Sequence, residues 1–325
     1  KLVEKKLVFL GESVHYSGSD FLAKIEFVKY LVIEKGYKNI VFESDFFALL
    51  FNQEKSNLYS FWSYSNECRE LFNIIKKHKV KLWGFDNKIH SPFSYNNFTK
   101  KLAEFLKKSN LFLEDRFIEL SKTLIKHQLN FSKIVTKEDV KYLDLKIEYF
   151  LSQKNIRDNN LWNQILISFK SAVLFYSIKD NLSDKNRILI RDKQMAENLD
   201  FIVKQNPNEK FIVWLANGHM SKINSRDLKG QNMGYYYKKM NPNNSFHIAF
   251  GSLRLNGEKE RRIIKAHRNK NNILSFFPTI NSNYFLDANE LIKKNHFLKR
   301  KKFNDMYIFN LPNNETNFFS HFDAF

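Results

Sequence analysis

The sequence predicts an α/β protein: a mostly parallel β-sheet flanked by helices, with a large all-helical insertion covering the carboxyl ends of the strands. Three observations predict it. Short apolar runs, each suited to a strand covered on both faces, alternate with stretches of helical spacing, the order of β-α-β units. Three successive runs end in an acid, Glu12, Glu43 and Asp86. From Phe85 to Ala216 there is no glycine, and between Pro92 and Pro207 no proline, although the chain holds 9 Gly and 5 Pro. An interval so free of helix breakers reads as helical throughout. The predicted organisation is an α/β core from residues 1–92 and 205–325, interrupted by a helical cap subdomain over 93–204.

Taken in order, Leu7 to Leu10 is the first strand, and Gly11 lets the chain turn sharply as it leaves the sheet. Glu12 and His15 then stand at the strand's carboxyl end, where open α/β sheets bind ligands. Phe21, Leu22, Ile25, Val28, Leu31 and Val32 repeat at helical spacing, with Ser17 or Ser19 as N-cap and Gly36 as C-cap. By spacing alone Lys24 reads as an exposed lysine of that helix. Asn39 to Ser44 is the second strand, and a right-handed crossover brings Glu43 to the same sheet edge as Glu12. A helix from Asn66 to Lys77 leads to a third strand, Val80 to Asp86.

The insertion divides into helices over Phe98 to Lys108, Leu113 to His127, Lys137 to Leu151, Leu161 to Ile178 and Asn186 to Val203. In the last of these Arg191, Gln194 and Asn198 share a face, which spacing alone assigns equally to a pocket or to solvent. The aromatics Phe150, Trp162, Phe169, Phe175 and Tyr176 could face either the cleft or the core, and most of them are expected in the core. The sheet resumes at Lys210 to Leu215, and Asn217 and His219 follow in a tight turn. Beyond lie a helix from Asn232 to Met240, a strand from Phe246 to Gly251, and short strands at Tyr284 to Asp287 and Met306 to Phe309. The basic tract Lys299 to Lys302 is expected to be an exposed turn.

Composition bounds the function. Hydrophobic residues make up 43% and aromatics 16%, which excludes a disordered chain. No apolar run approaches the roughly 18 residues that a bilayer span needs. The net charge of +19 comes mostly from lysines scattered as pairs, so a solvated basic surface is expected rather than a nucleic-acid groove. A single cysteine, Cys68, cannot form an internal disulfide, which fits a reducing compartment. The expectation is a cytoplasmic protein. The chain starts at Lys1 without methionine, as if trimmed, so export through a removed segment stays open.

Gly11-Glu12-Ser13-Val14-His15, Lys24 nine residues beyond and Phe42-Glu43 resemble the erythromycin esterase family and its uncharacterised bacterial relatives. The resemblance continues through Trp83 to Asp86, Arg191-Asp192, Met195 to Asn198, Trp214 to His219 and Met233-Gly234, in the family's order. It implies an α/β fold with a deep cleft over the strand tips, and hydrolysis of a carboxylic ester or lactone of a small-molecule natural product. Antibiotic inactivation and macrolide resistance would follow from a macrolide substrate. His15 would activate water, Glu12, Glu43 and His219 would complete the catalytic set, and Lys24 would belong to the site. The chain departs from the pattern at Ala216, where macrolide esterases of the family often carry histidine, and at Lys88, where they carry glutamine.

In this reading neutral His15 is a general base oriented by Glu12 or Glu43, and His219, Asn217, Lys24 or Arg191 supplies donors to the oxyanion. Asp86 joins Lys24, Arg191 and Asn217 as a substrate-binding candidate. No serine stands in a Gly-x-Ser-x-Gly elbow, which disfavours a covalent nucleophile. No cofactor and no resident metal are expected. Two alternatives use the same residues: a zinc or manganese site built from His15, His219 and the acids Glu12, Glu43 and Asp86, or a ligand-binding homologue that has lost turnover. Oligomeric state is not legible.

Overall fold

A computed structural model of the chain describes residues 4–178, 185–224, 231–253, 259–279, 282–311 and 315–325. Its centre is a five-stranded parallel sheet made of β1 (Leu7–Leu10), β2 (Asn39–Asp45), β3 (Lys81–Asp86), β4 (Phe211–Trp214) and β5 (Ser245–Ile248). The strand order is β3-β2-β4-β1-β5. β1 lies between two parallel neighbours, with Leu7 opposite Phe211 and Ser245, and Leu10 opposite Trp214 and Ile248. Every residue of β1, β2 and β4 is buried, which is why Leu7 to Leu10, Ile40 to Phe42 and Phe211 to Trp214 read as continuous apolar runs rather than alternating ones. The α/β class is the one the sequence predicts.

The chain divides into two compact units. The first takes in Lys1–Val41, Ser60–Lys81 and Pro207–Phe325. In it the helix Gly18–Ile33 is capped by Ser17, whose side chain accepts from the amide of Asp20, and it buries Phe21, Ile25, Val28, Leu31 and Val32. Gly36 is not its cap residue: the helix ends at Ile33 with Glu34 as its C-cap, and Gly36 takes φ +71° in the turn that follows. The helix Arg69–His78 starts later than predicted, with Cys68 at its N-cap.

Two of the short C-terminal strands are corrected. Among the described residues the segment from Tyr284 to Asp287 makes no ladder, only an isolated bridge from Asp287 to Ala324. Met306 to Phe309 is a turn, because the Asp305 carboxylate accepts the amides of Tyr307 and Phe309 and holds Met306 and Tyr307 at positive φ. The strand there is Phe303–Asn304, paired antiparallel with Glu315–Thr316. β5 ends at Ile248, short of the predicted Gly251.

β5 carries a buried histidine with a measurable consequence. The His247 ring stacks on Phe9 at 4.1 Å, its Nδ1 donates to the carbonyl of Met220, and its Nε2 pairs with the hydroxyl of Ser245. Burial lowers its pKa to about 4 against the opposing pull of Asp323, while Lys222 and Lys238 add to the lowering. An unfolded histidine binds its proton near pH 6.5, so the unfolded chain holds more protons between pH 6.5 and 4. Stability present above pH 6.5 is therefore lost as pH falls through that window, by an amount on the order of 3 kcal/mol. Urea denaturation of wild type and His247→Gln across that range checks it: the variant is expected to show a flatter slope.

The second unit takes in Phe42–Tyr59 and Leu82–Asn206. Its long helices are Pro92–Lys107, Asp115–Lys126, Lys137–Ser152, Asn160–Ser177 and Lys185–Gln205, close to the five predicted. Ser91 caps the first with Pro92 at its start, Thr136 and Asp139 form a reciprocal capping box on the third, and Asn159 caps the fourth. Phe150, Trp162, Phe169, Phe175 and Tyr176 are all buried, so the aromatics belong to the core as expected. Phe98 packs on Phe169 at 4.4 Å between centroids, and Phe117 on Phe150 at 5.7 Å. Among the described residues no helix is long and apolar enough to cross a membrane.

Candidate active site

In the first unit the carboxyl end of β1 gathers three side chains around Glu12, which is wholly buried. Its Oε1 accepts from His15 Nδ1 at 2.8 Å and from Trp62 Nε1 at 3.1 Å, and its Oε2 accepts from Lys24 Nζ at 2.6 Å. The exposed-lysine reading of Lys24 is overturned. Lys24 is fully buried, with its ammonium over the Trp214 ring, 3.8 Å from the centroid. Burial depresses the Lys24 pKa below the ordinary lysine range despite Glu12, Asp20 and Cys68, which pull it back up. A buried cation of this kind is tolerated because a carboxylate and an aromatic face replace its water.

His15 is the accessible member, with its side chain 35% exposed. Its ring stacks on Phe61 at 4.7 Å and meets the edge of Trp62 at 5.6 Å. With a carboxylate on Nδ1 the proton sits on that nitrogen, and Nε2 carries the lone pair. Glu12 thus fixes both the tautomer and the direction in which the imidazole presents a base.

The loop that carries Glu12 is held from several sides. Ser13 donates from its amide and its hydroxyl to Asp20 Oδ2, at 2.7 and 2.6 Å, and Asn310 Nδ2 donates to the carbonyl of Ser13. The amide of Asn217 donates to the carbonyl of Glu12 at 2.8 Å, and its Nδ2 donates to the carbonyls of Phe250 and Phe309. Asn217 therefore holds the loop with its backbone and has its side-chain amide nitrogen committed. Its Oδ1 lies against Gly11, where an added Cβ would stand 2.0 Å from it. Gly11→Ala is accordingly expected to displace Asn217 and cost about 1–3 kcal/mol, the usual range for overpacking, read as a lowered urea midpoint. His219 is half-buried on the short turn Asn217–His219.

In the second unit the other predicted residues form a separate group. Arg191 lies across two carboxylates: Nε donates to Asp86 Oδ1 at 3.0 Å, and Nη2 donates to Asp86 Oδ2 at 2.7 Å and to Glu43 Oε1 at 2.6 Å. All three are buried. Burial pushes the Asp86 carboxyl up, but Arg191 and then Lys88 outweigh it and hold the carboxyl below its usual range. Burial likewise works against the Arg191 charge, which Asp86 and Glu43 keep well above the ordinary arginine value. The polar stripe on the helix of Arg191 faces inward: Asn198 donates to the carbonyl of Phe85 and to Ser168, and accepts from Gln194 and Gln164.

Residues that spacing did not reveal complete both groups. Trp62 and Phe61 sit on a one-turn helix, Ser60–Ser63, some fifty positions from Glu12, and no local pattern marks them. Tyr59 stacks on His90 at 3.9 Å, and His90 pairs through Nε2 with Ser44. Among the described residues no three His, Cys, Asp or Glu side chains group closely enough to hold a metal ion.

The erythromycin esterase family model matches residues 32–258. The chain belongs to the erythromycin esterase family. A Bacillus subtilis (strain 168) relative in this family, named "Putative hydrolase YbfO", is 27% identical over 71% of this chain. The chain spans 61% of that relative's length. A crystal structure of a Bacillus cereus protein superposes with a TM-score of 0.70 at 19% identity, covering 99% of this chain and 88% of that one. A succinoglycan biosynthesis protein superposes with a TM-score of 0.72 at 15% identity, covering 99% and 87%. A mutant of the erythromycin esterase EreC in its open conformation gives a TM-score of 0.55 at 18% identity, covering 76% and 70%. At these identities the solved structures establish the shared fold.

Proposed function

We propose that the protein is a hydrolase that cleaves a carboxylic ester or lactone with water activated at His15. The observation that carries the reading is the His15–Glu12 pair, buttressed by Trp62 and Lys24, which leaves the accessible imidazole with Nε2 as its base. Family membership and the hydrolase name of the Bacillus subtilis relative support the same chemistry. Water gives a proton to His15 Nε2 as its oxygen attacks the acyl carbon, and the ester carbonyl takes the negative charge. The imidazolium is stabilised by Glu12, whose own charge is steadied by Lys24. The tetrahedral intermediate then expels the alkoxide, which takes the proton from His15, so an acid and an alcohol leave and the site is restored.

The committed donors sort the candidates. The Lys24 ammonium is bound to Glu12 and the Asn217 amide nitrogen to two carbonyls, so we assign both to positioning; we give the oxyanion to His219 because it stands on the turn whose Asn217 amide holds the Glu12 loop. Glu43, Asp86 and Arg191 pair with one another within the second unit and are given no part in the water-activating step. Cys68 is no nucleophile in this reading, since burial pushes its thiol up to about 12.

The test is mass spectrometry of a macrolide lactone and a panel of simpler esters, each incubated with wild type and with His15→Ala. A product heavier by one water, absent with the variant, is expected. No product from any ester, or the same yield from the variant, overturns the reading.

A further inference from the structure

We propose that residues 293–302 and the basic helix face beside them form a docking surface for an anionic lipid membrane. Residues 259–302 hold twelve Lys or Arg and three acids, so this stretch carries nine of the 19 net positive charges. The density peaks in 293–302, where Lys293, Lys294, Lys299, Arg300, Lys301 and Lys302 stand with no acid among them. All of these but Lys301 are exposed. The segment bends from the end of the helix Ala288–Lys294 into the short helical turn His296–Lys299, and the two pack on each other. At the bend Leu298 turns inward and Phe297 outward, 67% exposed. A second basic row lies beside it. The helix Glu260–His267 buries Ile263 and Ala266, and Arg261, Lys265 and Arg268, four and three residues apart, share its exposed face. The chain then brings that row to the bend: the amide of Asn304 donates to the carbonyl of Asn271, and Lys301 Nζ donates to the carbonyl of Lys270 at 3.3 Å.

Neighbouring acids do not cancel the excess. Asp287, which caps the helix Ala288–Lys294, and Glu290, which pairs with Lys293 at 2.9 Å, are two of the three acids already counted, and Glu260 is the third. Just outside the stretch, Asp305, Glu315 and Asp323 are balanced by Lys222, Lys238 and Lys239. Asp323 pairs with Lys222 at 2.5 Å, and Lys238 and Lys299 both stand close enough to Lys222 to add to the lowering of its pKa that burial causes against Asp323. The arrangement fits a lipid surface better than a nucleic acid. Single-strand binders stack successive bases on several aromatic faces, whereas Phe276, Phe303 and Phe319 pack edge on face with one another. One outward ring among cations suits an anionic interface, where the cations meet headgroups and the ring enters the acyl boundary. Each cation at such a surface strengthens binding about fivefold, within a reach of about 8 Å at physiological salt. A basic patch with one ring attaches reversibly, in keeping with the described helices, none of which is long and apolar enough to cross a membrane. The inference is independent of the hydrolytic reading, because it concerns binding alone.

The experiment is co-sedimentation of the intact protein with vesicles of phosphatidylcholine alone and of phosphatidylcholine mixed with phosphatidylglycerol, over a salt series. Wild type is expected to sediment with the mixed vesicles, to stay in the supernatant with the neutral ones, and to be released as salt rises. The combined variant Lys299→Gln, Arg300→Gln, Lys301→Gln and Lys302→Gln is expected to bind about a hundredfold or more weakly. A control that loses the same charge, Lys100→Gln, Lys107→Gln, Lys108→Gln and Lys122→Gln, all exposed in the second unit, is expected to bind as wild type does. Phe297→Ser is expected to bind more weakly with an unchanged salt dependence, because salt does not screen an apolar contact. Thermal melts check that each variant is folded; if the combined variant is not, the salt series and Phe297→Ser decide. Equal weakening by the control, equal binding to neutral vesicles, no binding to mixed vesicles, or tighter binding of a single-stranded oligothymidylate at the same salt overturns the proposal.

Discussion

Arg191→Met is expected to lower the unfolding free energy by about 3–5 kcal/mol, the range for removing one partner of a buried ion pair. The guanidinium is the shared partner of Asp86 and Glu43, both buried, and its loss leaves two carboxylates without their compensating charge. Arg191→Lys is expected to recover only part of the loss, since an ammonium cannot reproduce the fork that grips both Asp86 oxygens. The pH dependence separates this from loss of packing. In wild type the Asp86 carboxyl is held below its usual range, so its contribution is present above the unfolded value near 3.9 and is lost as pH falls through the folded value. In Arg191→Met burial raises the same carboxyl, and protonation relieves the variant. The deficit measured by urea titration is therefore expected to be largest near neutrality and to shrink below about pH 4. A deficit that does not change with pH would show that Arg191 matters by volume and not by charge.

His15→Ala is expected to lower kcat for a hydrolysed ester by about 10²–10⁴, the usual contribution of a positioned general base. Its side chain is about one-third exposed, and its hydrogen bond to Glu12 is one of three that the carboxylate accepts, so the melting temperature is expected to move little. Glu12→Gln is expected to behave differently. It removes the charge opposite the fully buried Lys24 as well as the carboxylate on His15 Nδ1, so it loses activity and stability together. Steady-state kinetics and thermal melts on the two variants separate the roles: activity lost without stability for His15, both lost for Glu12. A His15→Ala variant with wild-type kcat would remove the general-base role.

Much of this was legible in the chain because it is local. Apolar runs such as Leu7 to Leu10 and Phe211 to Trp214 specify buried parallel strands, since a strand covered on both faces has no polar face to alternate with. The glycine-free interval specifies its helices by backbone propensity, which neighbours in sequence determine. The Glu12–His15 pair, three residues apart, was also visible as a motif. The short C-terminal strands were not, because at Met306 the backbone follows the Asp305 carboxylate and not the β-propensity of Tyr307 and Ile308.

Sequence by itself thus determined the α/β class, the five long helices, the family pattern and the acids and histidines at the strand ends. Tertiary structure alone decided which of them meet. Lys24 is on a helix whose spacing makes it look exposed, yet it is buried because Glu12 and the Trp214 ring replace its water. Trp62 and Phe61 reach His15 and Glu12 from a distant turn, and Arg191 reaches Asp86 and Glu43 across more than a hundred residues. Such pairings depend on which surfaces the packed core brings within about 3 Å, the reach of a hydrogen bond, and no local propensity encodes that distance.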